Sequence, residues 1–159
     1  MYYAKSPEEL PSRETMLSMS GLEFMLAMAR KEIPRPPISS VMDYDLHHVE
    51  AGKVIFSSVP KFQHCNPMGG VHGGWYGTLL DSCMACAVMT MVPKGSVYTT
   101  LEYKVNLTRG IPVGTEIHAT GTIDHAGRST GVASGEIRGV DHGKLYATGS
   151  TTCLIMKLL

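Results

Sequence analysis

From residue 100 onward the chain alternates apolar and polar residues with a period of two, the signature of strands with one buried face. In 100–107, Leu101, Tyr103, Val105 and Leu107 fall on one face and Thr100, Glu102, Lys104 and Asn106 on the other. Ile117, Ala119, Gly121 and Ile123 repeat the pattern against His118, Thr120 and Thr122, and further strands are predicted over 130–138 and 145–157. Ile111-Pro112-Val113-Gly114, Ala126-Gly127-Arg128 and Asp141-His142-Gly143-Lys144 supply the turns between them. Upstream, strands over 41–50 and 53–59 flank Ala51-Gly52. Between the two groups of strands the alternation gives way to a nearly continuous apolar run, predicted as a helix over 72–91 and stopped by Pro93-Lys94-Gly95.

Small residues occupy the centres of the inner strand faces: Ala119 and Gly121, Gly131, Ala133 and Gly135, then Ala147 and Gly149. Such a band lets a helix approach a sheet closely. The pattern predicts an α+β fold of order β-β-α-β-β-β-β, with an antiparallel sheet wrapped around one central helix. An extra N-terminal helix is predicted over 13–30, with Leu17, Gly21, Phe24, Met25, Met28 and Ala29 on one stripe and Ser12 as its cap. It must end before Pro34-Arg35-Pro36-Pro37. The expected division is a helical extension with a stiff linker over 1–37 and a main domain over 38–159.

The 159 residues are 43% hydrophobic and 18% charged, which implies a folded core. Zero net charge and the absence of a basic block argue against a nucleic-acid partner. The 19-residue segment 74–92 approaches the length of a membrane span. Asp81 near its middle would cost about 2.5–3.5 kcal/mol in a bilayer, so a buried core helix is expected instead. Four cysteines and a start with no apolar leader point to a reducing cytoplasm. Cys83 and Cys86 lie deep in the apolar helix, with no second pair to complete a zinc site, and are expected to be buried thiols. No metal site is expected; adjacent His47 and His48 point to opposite faces of a strand and cannot chelate together.

One feature concentrates chemistry. Asn66-Pro67-Met68-Gly69-Gly70-Val71-His72-Gly73-Gly74 is a glycine-rich loop that opens the apolar helix. A helix start presents free backbone N–H groups and the positive end of the dipole. Two turns later stands Asp81, a lone carboxylate in apolar surroundings, which is costly unless paired or used. An oxyanion donor and a general base together suit hydrolysis of an activated carbonyl, without a metal. Gly73 and Asp81 are eight residues apart, a rise of about 12 Å on one helix. They cannot both touch one carbonyl, so a site using both must be built from two chains.

The motif Asn66-x-x-Gly69-x-Val71-His72-Gly73-Gly74-x-x-x-x-Leu79-x-Asp81, in this order of elements, resembles the hotdog-fold acyl-CoA thioesterases, closest to the PaaI-type phenylacetate-degradation branch. The resemblance covers about 38–156 and includes 98–106 and 124–128. It implies that Asp81 is the base or nucleophile, that the Gly73 amide holds the thioester oxygen, and that Asn66 and His72 position the carbonyl or the water. Thr100 matches a hydroxyl position near that water, and Arg128 and Ser129 match positions that touch the coenzyme A nucleotide. Arg109 is a further candidate for the phosphates, Met68, Trp75 and Tyr76 for the acyl group, and Gly74 for substrate binding. The implied assembly is a homodimer or homotetramer, and coenzyme A enters only as part of the substrate. The position one turn after the acid, a threonine in some relatives, is Ala85.

Each residue also has a purely structural role open to it. His72 can cap the helix, Asn66 can start a turn, and Thr100 and Arg128 can be ordinary strand and hairpin residues. Two other functions stay open on the same scaffold: an acyl-CoA binder that does not cleave, and a hydroxyacyl dehydratase.

Overall fold

The computed structural model describes residues 2–159. Six strands form one antiparallel sheet: β1 (Tyr44–Glu50), β2 (Lys53–Ser58), β3 (Ser96–Leu107), β4 (Ile117–Ala126), β5 (Thr130–Gly139) and β6 (Leu145–Lys157). Their order is β1-β2-β4-β5-β6-β3, which leaves β1 and β3 at the edges. The long helix α4 (Gly73–Met89) lies against one face of the sheet and buries Leu79, Leu80, Cys83, Met84 and Val88. This is the hotdog architecture.

The small-residue band is what allows the wrap. A Cβ on Gly121 would run into the carbonyl of Cys83, and one on Gly135 would stand 2.7 Å from Met84 Cγ. Ala119, Ala133 and Ala147 are fully buried in the same layer. Burial of the apolar side chains between helix and sheet is the main stabilising contribution, at about 25 cal/mol per Å².

The N-terminal segment differs from the single helix expected over 13–30. It forms α1 (Arg13–Leu17) and α2 (Gly21–Ala29). The Ser12 hydroxyl accepts from Thr15 N–H and caps the first. Ser20 then starts a second helix with a capping box: its N–H donates to Glu23 Oε2 at 2.7 Å, and its Oγ accepts from Glu23 N–H at 3.3 Å. The apolar stripe ran across this break because both helices press on the same body.

That segment is tied to the end of α4. Gly21 N–H donates to the Val92 carbonyl at 2.9 Å, and a Cβ there would run into the Met89 carbonyl at the end of α4. The proline-rich stretch carries a short helix, α3 (Pro37–Val41), with proline at its first turn, so β1 starts at Tyr44 rather than 41. Buried Arg35 forms an ion pair with Asp45 on β1 and pins the stretch down. Among the described residues no helix is long and apolar enough to cross a membrane.

Strand β3 holds a second correction. Its expected alternation put Thr100 on the face opposite Tyr103, but a bulge between Thr100 and Glu102 changes the register. Thr100 pairs with Cys153 and Tyr103 with Thr151, both of which are buried. Thr100 and Tyr103 therefore both face α4, while the bulged Leu101 is 58% exposed.

Candidate active site

Asp81 sits in the middle of α4, half-buried, on the face turned toward β3. The Thr100 hydroxyl donates to its Oδ1 at 3.2 Å. Burial raises the Asp81 pKa above the ordinary carboxylate value, and the Thr100 hydrogen bond opposes part of that rise. Beside it, Ser82 shares a hydrogen bond of 2.9 Å with the Tyr44 hydroxyl. Burial pushes the Cys86 thiol up to about 12, so it stays protonated and inert.

Asp81 and Thr100 border a cavity of about 340 Å³, lined mostly by apolar side chains. Its walls come from α4, from Tyr44 and Phe56 on the strands, and from the N-terminal segment through Phe24, Met25 and Met28. Phe24, Tyr44 and Phe56 carry no mark of this role in the sequence, whereas Met25 and Met28, flexible residues on the stripe of the N-terminal helix, are legible there as core or pocket lining. What the stripe covers is settled only by tertiary packing.

The helix start faces elsewhere. His72 is the N-cap of α4, and its Nδ1 accepts from Gly74 N–H at 2.9 Å. This bond assigns the proton of a neutral ring to Nε2. Gly73 N–H makes no hydrogen bond to the protein among the described residues. His72, Gly74 and Trp75 line a second, wider groove with Thr78 and Tyr103. Within one chain, then, Asp81 and the helix start open on different spaces.

The loop ahead of the helix is self-braced. Asn66 Oδ1 accepts from the N–H groups of Met68 at 2.9 Å and Gly70 at 3.2 Å. Both bonds use the Oδ1 end of the amide, not Nδ2. Gly69 has a φ of +80°, which glycine adopts without strain, and Met68 at the loop tip is 94% exposed.

The other candidates line no part of the Asp81 cavity. Trp75 is buried and donates from Nε1 to the Met42 carbonyl at 3.1 Å. The buried Tyr76 hydroxyl accepts from Ile111 N–H at 2.8 Å and lines neither space. Arg109 follows β3 at the end nearest the start of α4, where Leu107 approaches Gly73. Arg128 and Ser129 sit in the β4–β5 turn at the opposite end, next to Gly131, which packs on Val88. Both arginines are exposed, and one chain does not bring them together.

Comparison with known proteins completes the picture. Residues 68–146 match the family model described as the thioesterase superfamily. Mouse acyl-coenzyme A thioesterase 13 is 30% identical over 100 residues, spanning 63% of this chain and 71% of that protein. A phenylacetic acid degradation-related protein of Ralstonia eutropha JMP134 superposes with a TM-score of 0.74 at 27% identity, covering 82% of this chain and 98% of its own. The chain belongs to the PaaI-type hotdog thioesterases. The E. coli PaaI protein of the phenylacetic acid degradation operon shares the fold, with a TM-score of 0.73 at 22% identity over 87% of this chain and 96% of that one. In this PaaI-type chain the matched segment holds α4, Asp81 and Thr100, whereas α2 and the proline-rich stretch precede it.

Proposed function

We propose that this protein hydrolyses an acyl-CoA thioester to the free acid and coenzyme A, in the cytoplasm, at sites shared by two chains. The observation that carries the reading is Asp81: a half-buried carboxylate of raised pKa, tethered by Thr100 at the rim of an apolar cavity. A pure binder of acyl groups has no need to bury an acid there.

In this reading the Asp81 carboxylate takes a proton from a water, and the resulting hydroxide attacks the thioester carbon. Gly73 N–H of the partner chain stabilises the oxyanion, aided by the positive end of α4. The C–S bond then breaks, coenzyme A leaves as thiolate, and Asp81 returns the proton. A raised pKa suits this cycle, because a stronger base accepts the proton more readily. His72 holds the helix start in shape for the donor, and Asn66 Nδ2 meets the carbonyl or the water. Arg128 and Ser129, with Arg109, serve the coenzyme A phosphates at the surface.

Two features support the two-chain arrangement. Gly73 and Asp81 stand about 12 Å apart along α4 and open on different spaces. Edge strand β3 is twelve residues long and exposes Leu101, Tyr103 and Leu107 by about half. A long, apolar free edge is a template for pairing with a second copy, which joins two sheets into one. Tyr103→Lys with Leu107→Lys should then shift the protein toward monomer in sedimentation.

The direct test is free-thiol release from phenylacetyl-, benzoyl-, short- and medium-chain acyl-CoAs, with Asp81→Asn alongside. The reading requires turnover on part of this panel and a fall of at least about a hundredfold in the variant. Binding without turnover on every member would contradict it and favour a carrier or sensor.

A further inference from the structure

The cavity beside Asp81 is closed by a part of the chain that lies outside the matched thioesterase segment. Phe24, Met25 and Met28 of α2 line it together with Met89 and Tyr98. Its lining is overwhelmingly apolar. Among the described residues the one cation in the lining is Arg35, whose charge is already balanced by Asp45. Pantetheine carries two amides that would lose their hydrogen bonds in such a lining, whereas a hydrocarbon loses none. The space therefore suits the acyl end of a thioester, with the coenzyme outside.

Its size sets a limit. An apolar cavity of about 150 Å³ accepts a six-carbon benzene ring, so 340 Å³ holds about a dozen carbons at that density. Three flexible methionines, Met25, Met28 and Met89, line it and can reshape around an unbranched chain.

Resting on the hydrolase reading above, we infer that α2 is the end wall of the acyl compartment and that the preferred acyl group is an unbranched, uncharged chain of about eight to twelve carbons. Met28 is the residue that sets the limit. It lines the cavity and is only partly buried, so a change of its size alters the wall without opening the main core.

The experiment separates this inference from the hydrolase reading by measuring binding rather than turnover. Non-hydrolysable S-alkyl-CoA thioethers of two to sixteen carbons are titrated calorimetrically into the unsubstituted protein, into Met28→Ala and into Met28→Trp. Affinity should rise about fourfold per added methylene while the chain is being buried, then level off near ten to twelve carbons. The plateau should move to longer chains in Met28→Ala and to shorter chains in Met28→Trp. A plateau that stays put in both variants, or an affinity independent of alkyl length, overturns the assignment of α2, even if thiol release proves the hydrolase reading correct. A ladder that shifts as expected upholds the compartment even if no acyl-CoA is hydrolysed. An ω-carboxyalkyl thioether of matching length should bind at least tenfold more weakly than its methyl-ended counterpart; equal binding would overturn the uncharged-chain assignment.

Discussion

Thr100 reaches Asp81 because the strand that carries it is bulged one residue later. The hydroxyl donates to Oδ1 at 3.2 Å from a position that an unbulged β3 would turn away from α4 once Tyr103 faces inward. A local irregularity of the sheet thus places the polar partner of the only acid on α4.

Thr100→Val keeps the shape of the side chain and removes the donor. The hydrogen bond favours the ionised form, so its loss raises the Asp81 pKa further. The acidic limb of the kcat/KM profile should move to higher pH. A lower rate with an unmoved profile would mean that Thr100 acts on something other than the acid.

Asp81 should trade stability for function. Burial holds its folded-state pKa above the ordinary 3.8. A raised carboxyl pKa stabilises the fold fully only below 3.8, and that contribution is lost as pH rises through the folded value. Above it the desolvated carboxylate is a standing cost. Asp81→Asn should therefore melt at a higher temperature than the native protein at pH 7, with the gap closing as pH falls toward 3.8. Calorimetry across that range checks both the sign and the pH trend.

The sheet centre should tolerate nothing larger than hydrogen at Gly121. A methyl group there meets the Cys83 carbonyl and Met84 nitrogen of α4, which are backbone and cannot swing aside. Gly121→Ala should cost about 3 kcal/mol in urea unfolding. Gly110→Ala, with nothing within 4 Å of the added carbon, should stay within about 0.5 kcal/mol of native.

His72 has a structural task that a smaller residue can perform. Its Nδ1 accepts the Gly74 N–H, so His72→Ala should cost about 1 kcal/mol of stability. His72→Ser should restore the cap. If activity returns with it, the imidazole acts only through the helix start; if stability returns without activity, the ring itself touches the substrate.

Much of the fold was legible because strand period, helix breaks and the small-residue band all point the same way. The band at 119–121, 131–135 and 147–149 predicted a close helix, and Gly121 against Cys83 shows how close. Two local readings failed for definite reasons. The stripe over 13–30 concealed a break, although Ser20-Gly21-Leu22-Glu23 carries the Ser-x-x-Glu signature of a capping box. The alternation over 100–107 concealed the bulge, because one extra residue leaves no mark in composition. The loop and Asp81 stood out by type and spacing. The Tyr44–Ser82 pair did not, since it depends on which surfaces meet.

The two-chain site is tested most directly by combining two crippled copies. Asp81→Asn removes the base. Gly73→Pro removes the amide proton, at a first-turn position that favours proline and after a residue, His72, whose ψ of 138° already suits one. The two variants, carrying different tags, are co-expressed, and mixed dimers are isolated by tandem purification. Each mixed dimer then has one site with both groups intact and one with neither. If Gly73 and Asp81 act across the interface, the mixed dimers recover about half of native thiol release although each variant alone is inactive. If both groups of a site come from the same chain, every site in the mixture stays defective and no activity returns.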